Sequence, residues 1–137
     1  MNGVPALQSY LIPAKFEKAL KSIRGALSEV EVDIVQEFDL SEDLNSGTRS
    51  RITARMLLVS SPILDFEAVA LGRAGAVFLP LHVLVTPETG STRVSLVDPS
   101  GLLEGRLPVG IGDPLRRLVG RVAAAFDSLL PPDPQFN

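Results

Sequence analysis

Apolar and polar positions alternate most regularly between Val77 and Pro99, in the stretch V-F-L-P-L-H-V-L-V-T-P-E-T-G-S-T-R-V-S-L-V-D-P. Leu81, Val83 and Val85 alternate with His82, Leu84 and Thr86. After a turn, Val94 and Leu96 alternate with Arg93, Ser95 and Val97. A period of two marks a strand with one buried face. Pro87 and Gly90 punctuate the turn, which this reading makes longer than two residues, and Pro99 ends the second strand. With Thr86 opposite Arg93, Val85 meets Val94 and Val83 meets Leu96. That register gathers Leu81, Val83, Val85, Val94 and Leu96 on one face and His82, Leu84, Thr86, Arg93, Ser95 and Val97 on the other. A slip of one residue would mix the two sets, so burial of the apolar face selects the register.

The remaining elements fall around this ribbon. Ala6 to Ile12 alternates in part and predicts a short edge strand. Pro13 suits a first helical position, where its missing N–H costs nothing. Phe16, Ala19, Leu20, Ile23 and Leu27 then recur at helical spacing, predicting an amphipathic helix over roughly residues 14 to 28. Val30, Val32, Ile34, Gln36 and Phe38 alternate with Glu31, Asp33, Val35 and Glu37, which predicts a half-buried strand with an acidic outer face. Asp39 to Ser50 reads as a polar loop, with Ser41 a candidate N-cap. Ile52 to Val59 predicts a strand that lies centrally, because its end is apolar on both faces. Ile63 to Leu71 predicts a short helix started by Pro62 or Asp65 and stopped by Gly72 to Gly75. Ser100 to Gly112 mixes glycine with large apolar residues, as in a loop laid over a core or a partner. Asp113-Pro114 starts a second long helix with the stripe Leu115, Leu118, Val119, Val122, Phe126, Leu129 and Leu130.

Together these predict an α+β fold: a mostly antiparallel sheet of about four to five strands, two long helices on one face and one short helix. At 137 residues the chain reads as a single domain, with a core from about residue 6 to 130 and a tail from Pro131.

Composition narrows the chemistry. There is no cysteine, hence no disulfide and no thiolate zinc site. A single histidine leaves no metal site built on several imidazoles. No metal or cofactor is expected. The formal charge of −3 gives no electrostatic footprint for nucleic acid, and 5% aromatics gives no stacking platform. The opening M-N-G-V-P-A-L-Q lacks the basic run and apolar core of a signal peptide, and no apolar run reaches the roughly 18 residues of a membrane span. A cytoplasmic, non-membrane protein is the expectation.

Arg55, Ser60, Ser61, His82 and Arg93 are the candidate ligand-binding residues, with a small anionic ligand held by charge-assisted hydrogen bonds. Otherwise these cations are solvated or pair with Glu31, Asp33 and Glu37. No catalytic residue is assigned. His82 as a general base would need a carboxylate or nucleophile in reach, and there is no G-x-S-x-G elbow for a serine nucleophile. The leading expectation is a non-enzymatic domain that self-associates as a homodimer or binds a small ligand. Leu84 and Val97 on the otherwise polar hairpin face motivate the self-association. The alternative is a small hydrolase or isomerase using His82.

The order of elements also resembles a known family. Ser61-Pro62 closes a strand, a short helix follows over Ile63 to Leu71, and then come Leu79-Pro80-Leu81-His82-Val83-Leu84-Val85, Gly90 and Asp98-Pro99. This resembles domain-of-unknown-function family 302, over roughly Lys15 to Leu130. The family commonly has Asn-Pro where this chain has Ser61-Pro62, and often a basic residue in place of His82. The resemblance implies an antiparallel sheet packed by helices, often a dimer, with no established activity.

Overall fold

The computed structural model describes residues 7–41, 53–71, 80–98 and 112–132. Its elements follow the order β1 (Leu7–Ile12), α1 (Phe16–Glu29), β2 (Asp33–Asp39), β3 (Arg55–Ser60), α2 (Pro62–Leu71), β4 (Leu81–Glu88), β5 (Ser91–Val97) and α3 (Gly112–Asp127). Three sequence readings lie outside the described residues. They are most of the polar loop after Asp39, the Gly72–Gly75 helix stop and the glycine-rich stretch before Gly112.

The hairpin pairs as its alternation requires: Val83 with Leu96, Val85 with Val94 and Thr86 with Arg93. β1 adds to the outer side of β5, and β3 then β2 add beyond β4, giving one antiparallel sheet of order β1-β5-β4-β3-β2. On one face of this sheet Leu57, Val59, Leu81, Val83, Val85, Val94 and Leu96 are fully buried. They form one apolar cluster with Leu20, Ile23 and Leu27 of α1 and Leu115, Leu118, Val122 and Phe126 of α3. Each such side chain contributes about 1.5–3 kcal/mol on burial, so a one-residue slip that turned the ribbon over would forfeit several of them at once. Tyr10 closes the β1 edge of the cluster, its ring edge-on to Phe126 at 5.5 Å between centroids. Burial there, with Asp127 nearby, pushes its phenol pKa up.

The strands of the hairpin run further than the sequence indicates. Pairing continues through Pro87–Thr92 to Glu88–Ser91, which leaves Thr89 and Gly90 as a two-residue turn. Pro87 is tolerated because the last β3 pair is Arg55–Val85, so no β3 carbonyl awaits an N–H at Pro87. Gly90 adopts φ 74°, a conformation that glycine enters without a Cβ clash. α1 starts later than expected, at Phe16 with Lys15 as an extended N-cap, so Pro13 stays outside the helix. The chain must first leave the Ile12–Thr92 pair, and the Thr92 hydroxyl donates to the Ala14 carbonyl at 2.8 Å to hold that exit. α3 starts earlier, at Gly112, with Pro114 still inside the first turn, where no helical N–H bond is lost.

α1 ends in a reciprocal pair of backbone bonds. Val32 N–H donates to Leu27 O at 3.0 Å and Glu31 N–H to Ser28 O at 3.1 Å. This is the Schellman arrangement, and its apolar clasp is Val32 on Leu27, both buried. The left-handed position within it, normally glycine, is held by Glu31 at φ 60°. Left-handed backbone costs a side-chain-bearing residue about 1–2 kcal/mol, partly offset by the entropy that glycine loses on folding. Glu31→Gly is therefore expected to stabilise the protein by about 0.5–1 kcal/mol. A chemical-denaturation midpoint that fails to rise would refute this account of the turn.

Candidate functional site

The face of the sheet opposite α1 and α3 has no described helix on it. Strand alternation and the pairings place its side chains in rows. One row runs Ser9, Ser95, Leu84, Met56 and Phe38; the next runs Leu7, Val97, His82, Leu58 and Gln36. Leu11, Arg93 and Thr86 begin a third. Leu84, Met56, Leu58 and Val97 are half-buried. Leu7, Leu11 and Phe38 are 56%, 45% and 41% exposed. A half-covered antiparallel sheet usually turns polar residues to its open side. Here the middle of that side is aliphatic, and Phe38 stands at its β2 edge.

Phe38 reaches this face through a β-bulge. The β2–β3 register shifts between Ile34–Val59 and Gln36–Leu58, so Val35 is the extra residue. Beyond it the phase of β2 is reversed. Glu37, opposite Leu57, turns to the helix side, and Phe38, opposite Met56, turns to the open side. Plain alternation puts Gln36 and Phe38 with Ile34 and leaves Glu37 outside; the bulge overturns that arrangement. Glu37 is clamped on the helix side by two arginines. Arg24 of α1 donates to both its carboxylate oxygens, at 2.5 and 2.8 Å, and Arg55 of β3 donates to Oε1 at 2.6 Å. The hydrogen bond from Arg24 is the largest cause that holds the Glu37 pKa below its ordinary value; burial opposes it and the bond from Arg55 adds to it. The Arg55 guanidinium also lies 5.9 Å from the centroid of the Phe16 ring, a cation–π contact beside a buried Nε that has no hydrogen-bond acceptor.

The five candidate ligand-binding residues do not form one cluster, although Ser60, two places beyond the Leu58 that pairs with His82, shares His82's side of the sheet. Arg55 lies on the helix side, in the clamp. Ser60 and Ser61 are buried at the start of α2. There Ser60 Oγ donates to Asp65 Oδ2 in a short bond, while Ser61 O accepts the Asp65 N–H at 2.8 Å. This ties the strand end to the first helical turn, a polar counterpart of the residue pairing that staples many helix starts. His82 and Arg93 share the open face, but Arg93 pairs with Thr86, four residues from His82 and about 13 Å along the strand. Arg93 is held by Glu88, through a short Nε contact and an Nη2 contact of 3.4 Å. That pairing lowers the Glu88 pKa and raises that of Arg93. His82 is exposed and makes no hydrogen bond among the described residues. Sequence reasoning missed Phe38 and Glu37 as members of these surfaces. A Glu37–arginine pairing is among the alternatives it leaves for Arg55, yet no local signal marks Val35 as a bulge.

A single antiparallel sheet with its helices on one side defines a two-layer α+β protein. The model of the family described as "Domain of unknown function DUF302" matches residues 8–129, and the chain belongs to that family. Among solved structures, the chain is similar to the crystal structure of an uncharacterized conserved DUF302 protein from Bacillus stearothermophilus. The TM-score is 0.82 at 16% identity, over 93% of this chain and 100% of that one. That likeness carries the fold alone. No curated protein sequence matches the chain. Among the described residues no helix is long and apolar enough to cross a membrane.

Because the native state binds a proton at Glu37 less readily than the unfolded chain does, the clamp's contribution is complete above the unfolded carboxylate value of about 4.3. It is lost as pH falls through the lower native value. Glu37→Gln is expected to lower stability at pH 7 by about 1–2 kcal/mol, a charged hydrogen-bonding contribution discounted for partial exposure. The gap from wild type should close as pH drops below about 4. Urea midpoints that coincide at pH 7 would show that the clamp adds nothing.

Proposed function

We propose that the protein is a non-enzymatic domain that self-associates through the open face of its sheet, face to face with a second copy. The observation that carries this reading is the aliphatic middle of that face, Leu84, Met56, Leu58 and Val97, bordered by the exposed Leu7, Leu11 and Phe38. Contiguous exposed apolar surface of this kind marks contacts. The identity of the occupant follows from charge and size. The rows around Leu84 and His82 carry no formally charged side chain, and the neighbouring Arg93 is already matched by Glu88. Apart from the exposed Asp33, which stands opposite Ser60 at the β2 corner of this face, two identical faces therefore meet without like-charge repulsion, as a two-fold contact requires. A five-stranded face is about 24 Å wide and about 20 Å tall. Its projected area, on the order of 500 Å² before side-chain relief, approaches the roughly 600–1,000 Å² per partner of stable interfaces.

Anion capture is less well supported. Arg55 and Arg93 are each engaged by a carboxylate and lie on opposite sides of the sheet. Self-association therefore takes precedence over a small-ligand role.

Sedimentation equilibrium at tens of micromolar, an order-of-magnitude choice, should find a dimer for wild type and a folded monomer for Leu84→Lys. Leu84 is only half-buried and belongs to no core cluster, so its replacement should leave the circular dichroism spectrum unchanged. A wild-type monomer at that concentration, or a Leu84→Lys variant that still dimerises, would overturn the proposal.

A further inference from the structure

β2 has two registers open to it, and the sequence by itself favours the one it does not adopt. Without the bulge, the Ile34–Val59 pairing would continue as Gln36 opposite Leu57, Glu37 opposite Met56 and Phe38 opposite Arg55. Phe38 would then point beneath the helices and Glu37 would stand on the open face. That is the phase in which Val32, Ile34 and Phe38 share one side, as plain alternation prescribes. In the adopted register Val35 is extruded and 58% exposed, Phe38 is 41% exposed, and a carboxylate lies opposite the fully buried Leu57. Hydrophobic burial alone argues against each of these. What the adopted register gains is Glu37 between Arg24 and Arg55, with three hydrogen bonds from 2.5 to 2.8 Å.

We infer that the Arg24–Glu37–Arg55 clamp selects the bulged register of β2, and that Glu37 is thereby the positioning residue that delivers Phe38 to the self-association face. The consequence for association rests on the reading proposed above; the register claim does not. Among the described strands β2 is an edge, paired on one side only, so a one-residue shift disturbs a single ladder. Bulges on edge strands commonly re-aim a side chain in this way. The clamp joins a helix residue, an edge-strand residue and a neighbouring-strand residue, so it holds β2 against both layers at once.

Two variants and two measurements separate the parts. In Glu37→Ala, nuclear Overhauser contacts of the Phe38 ring are expected to leave Met56 and move to Phe16, which lies beside Arg55. Self-association measured by sedimentation should weaken by at least about tenfold. Deleting Val35 from the Glu37→Ala variant makes the outward phase of Phe38 obligatory, because Ile34 and position 37 then stand two places apart with Gln36 between them. This deletion should restore both the Phe38–Met56 contact and the dimer. Retention of the Phe38–Met56 contact in Glu37→Ala would overturn the register claim. A switched contact with unchanged dimerisation would confirm the register claim and remove Phe38 from the interface. Loss of the dimer with the contact retained would overturn the role given to Glu37, leaving the open face itself as the associating surface.

Discussion

Five aliphatic side chains of the β4–β5 ribbon, Leu81, Val83, Val85, Val94 and Leu96, are the constraint on which the remaining structure depends. All are buried against α1 and α3, and because they alternate strictly they leave the ribbon only one way to lie. Once it lies that way, the facing of β1 and β3 follows from the ladder. Tyr10 pairs with Val94 and turns inward; Ser9 pairs with Ser95 and turns outward. Leu57 pairs with Val83 and turns inward; Met56 pairs with Leu84 and turns outward. The composition of the open face is thus decided by the same burial that forms the core.

β2 departs from this pattern, and its departure is electrostatic. Up to Ile34 it obeys the ladder, and beyond Val35 it is out of phase. An acid placed against a buried leucine would ordinarily be costly. Two guanidinium groups, one from α1 and one from β3, satisfy it. Arg55 is itself steadied by the Phe16 ring at the start of α1. A local polar network therefore outweighs the apolar preference of Phe38, something that an edge strand with one ladder can accommodate and an interior strand could not.

This contrast accounts for how much of the molecule is legible in the sequence. The hairpin register is readable because the apolar set of each strand has a single consistent phase and one face is fully buried. β1 as an edge strand, β3 as an interior strand and the stripes of α1 and α3 are readable for the same reason. Element ends are less so: Pro87 reads as a turn residue, and only the length of β3 shows that its missing N–H is harmless there. The clamp is not readable, because it joins residues 24, 37 and 55 through a one-residue register shift that periodicity counts as noise. The candidate cluster of Arg55, Ser60, Ser61, His82 and Arg93 shares one neighbourhood only while the two sides of the sheet are undistinguished. Strand parity separates Arg55 from His82 and Arg93.

The placement of charge across the two sides bears on what the open side is for. In a two-layer protein whose uncovered sheet faces water, ionised side chains collect on that uncovered side. Here the densest described ionic cluster, Arg24, Glu37, Arg55 and Asp39, lies at the helix side. The opposite side, on which no described helix lies, keeps leucine, methionine and valine in its middle and phenylalanine at its β2 edge. The arrangement is not a shortage of charge, since Glu37 would stand on the open side if β2 followed its simple alternation. The bulge exchanges a carboxylate for a phenyl ring on that surface, at the expense of a regular ladder. An exchange in that direction is unfavourable for a face that remains in water and favourable for one that meets another apolar surface.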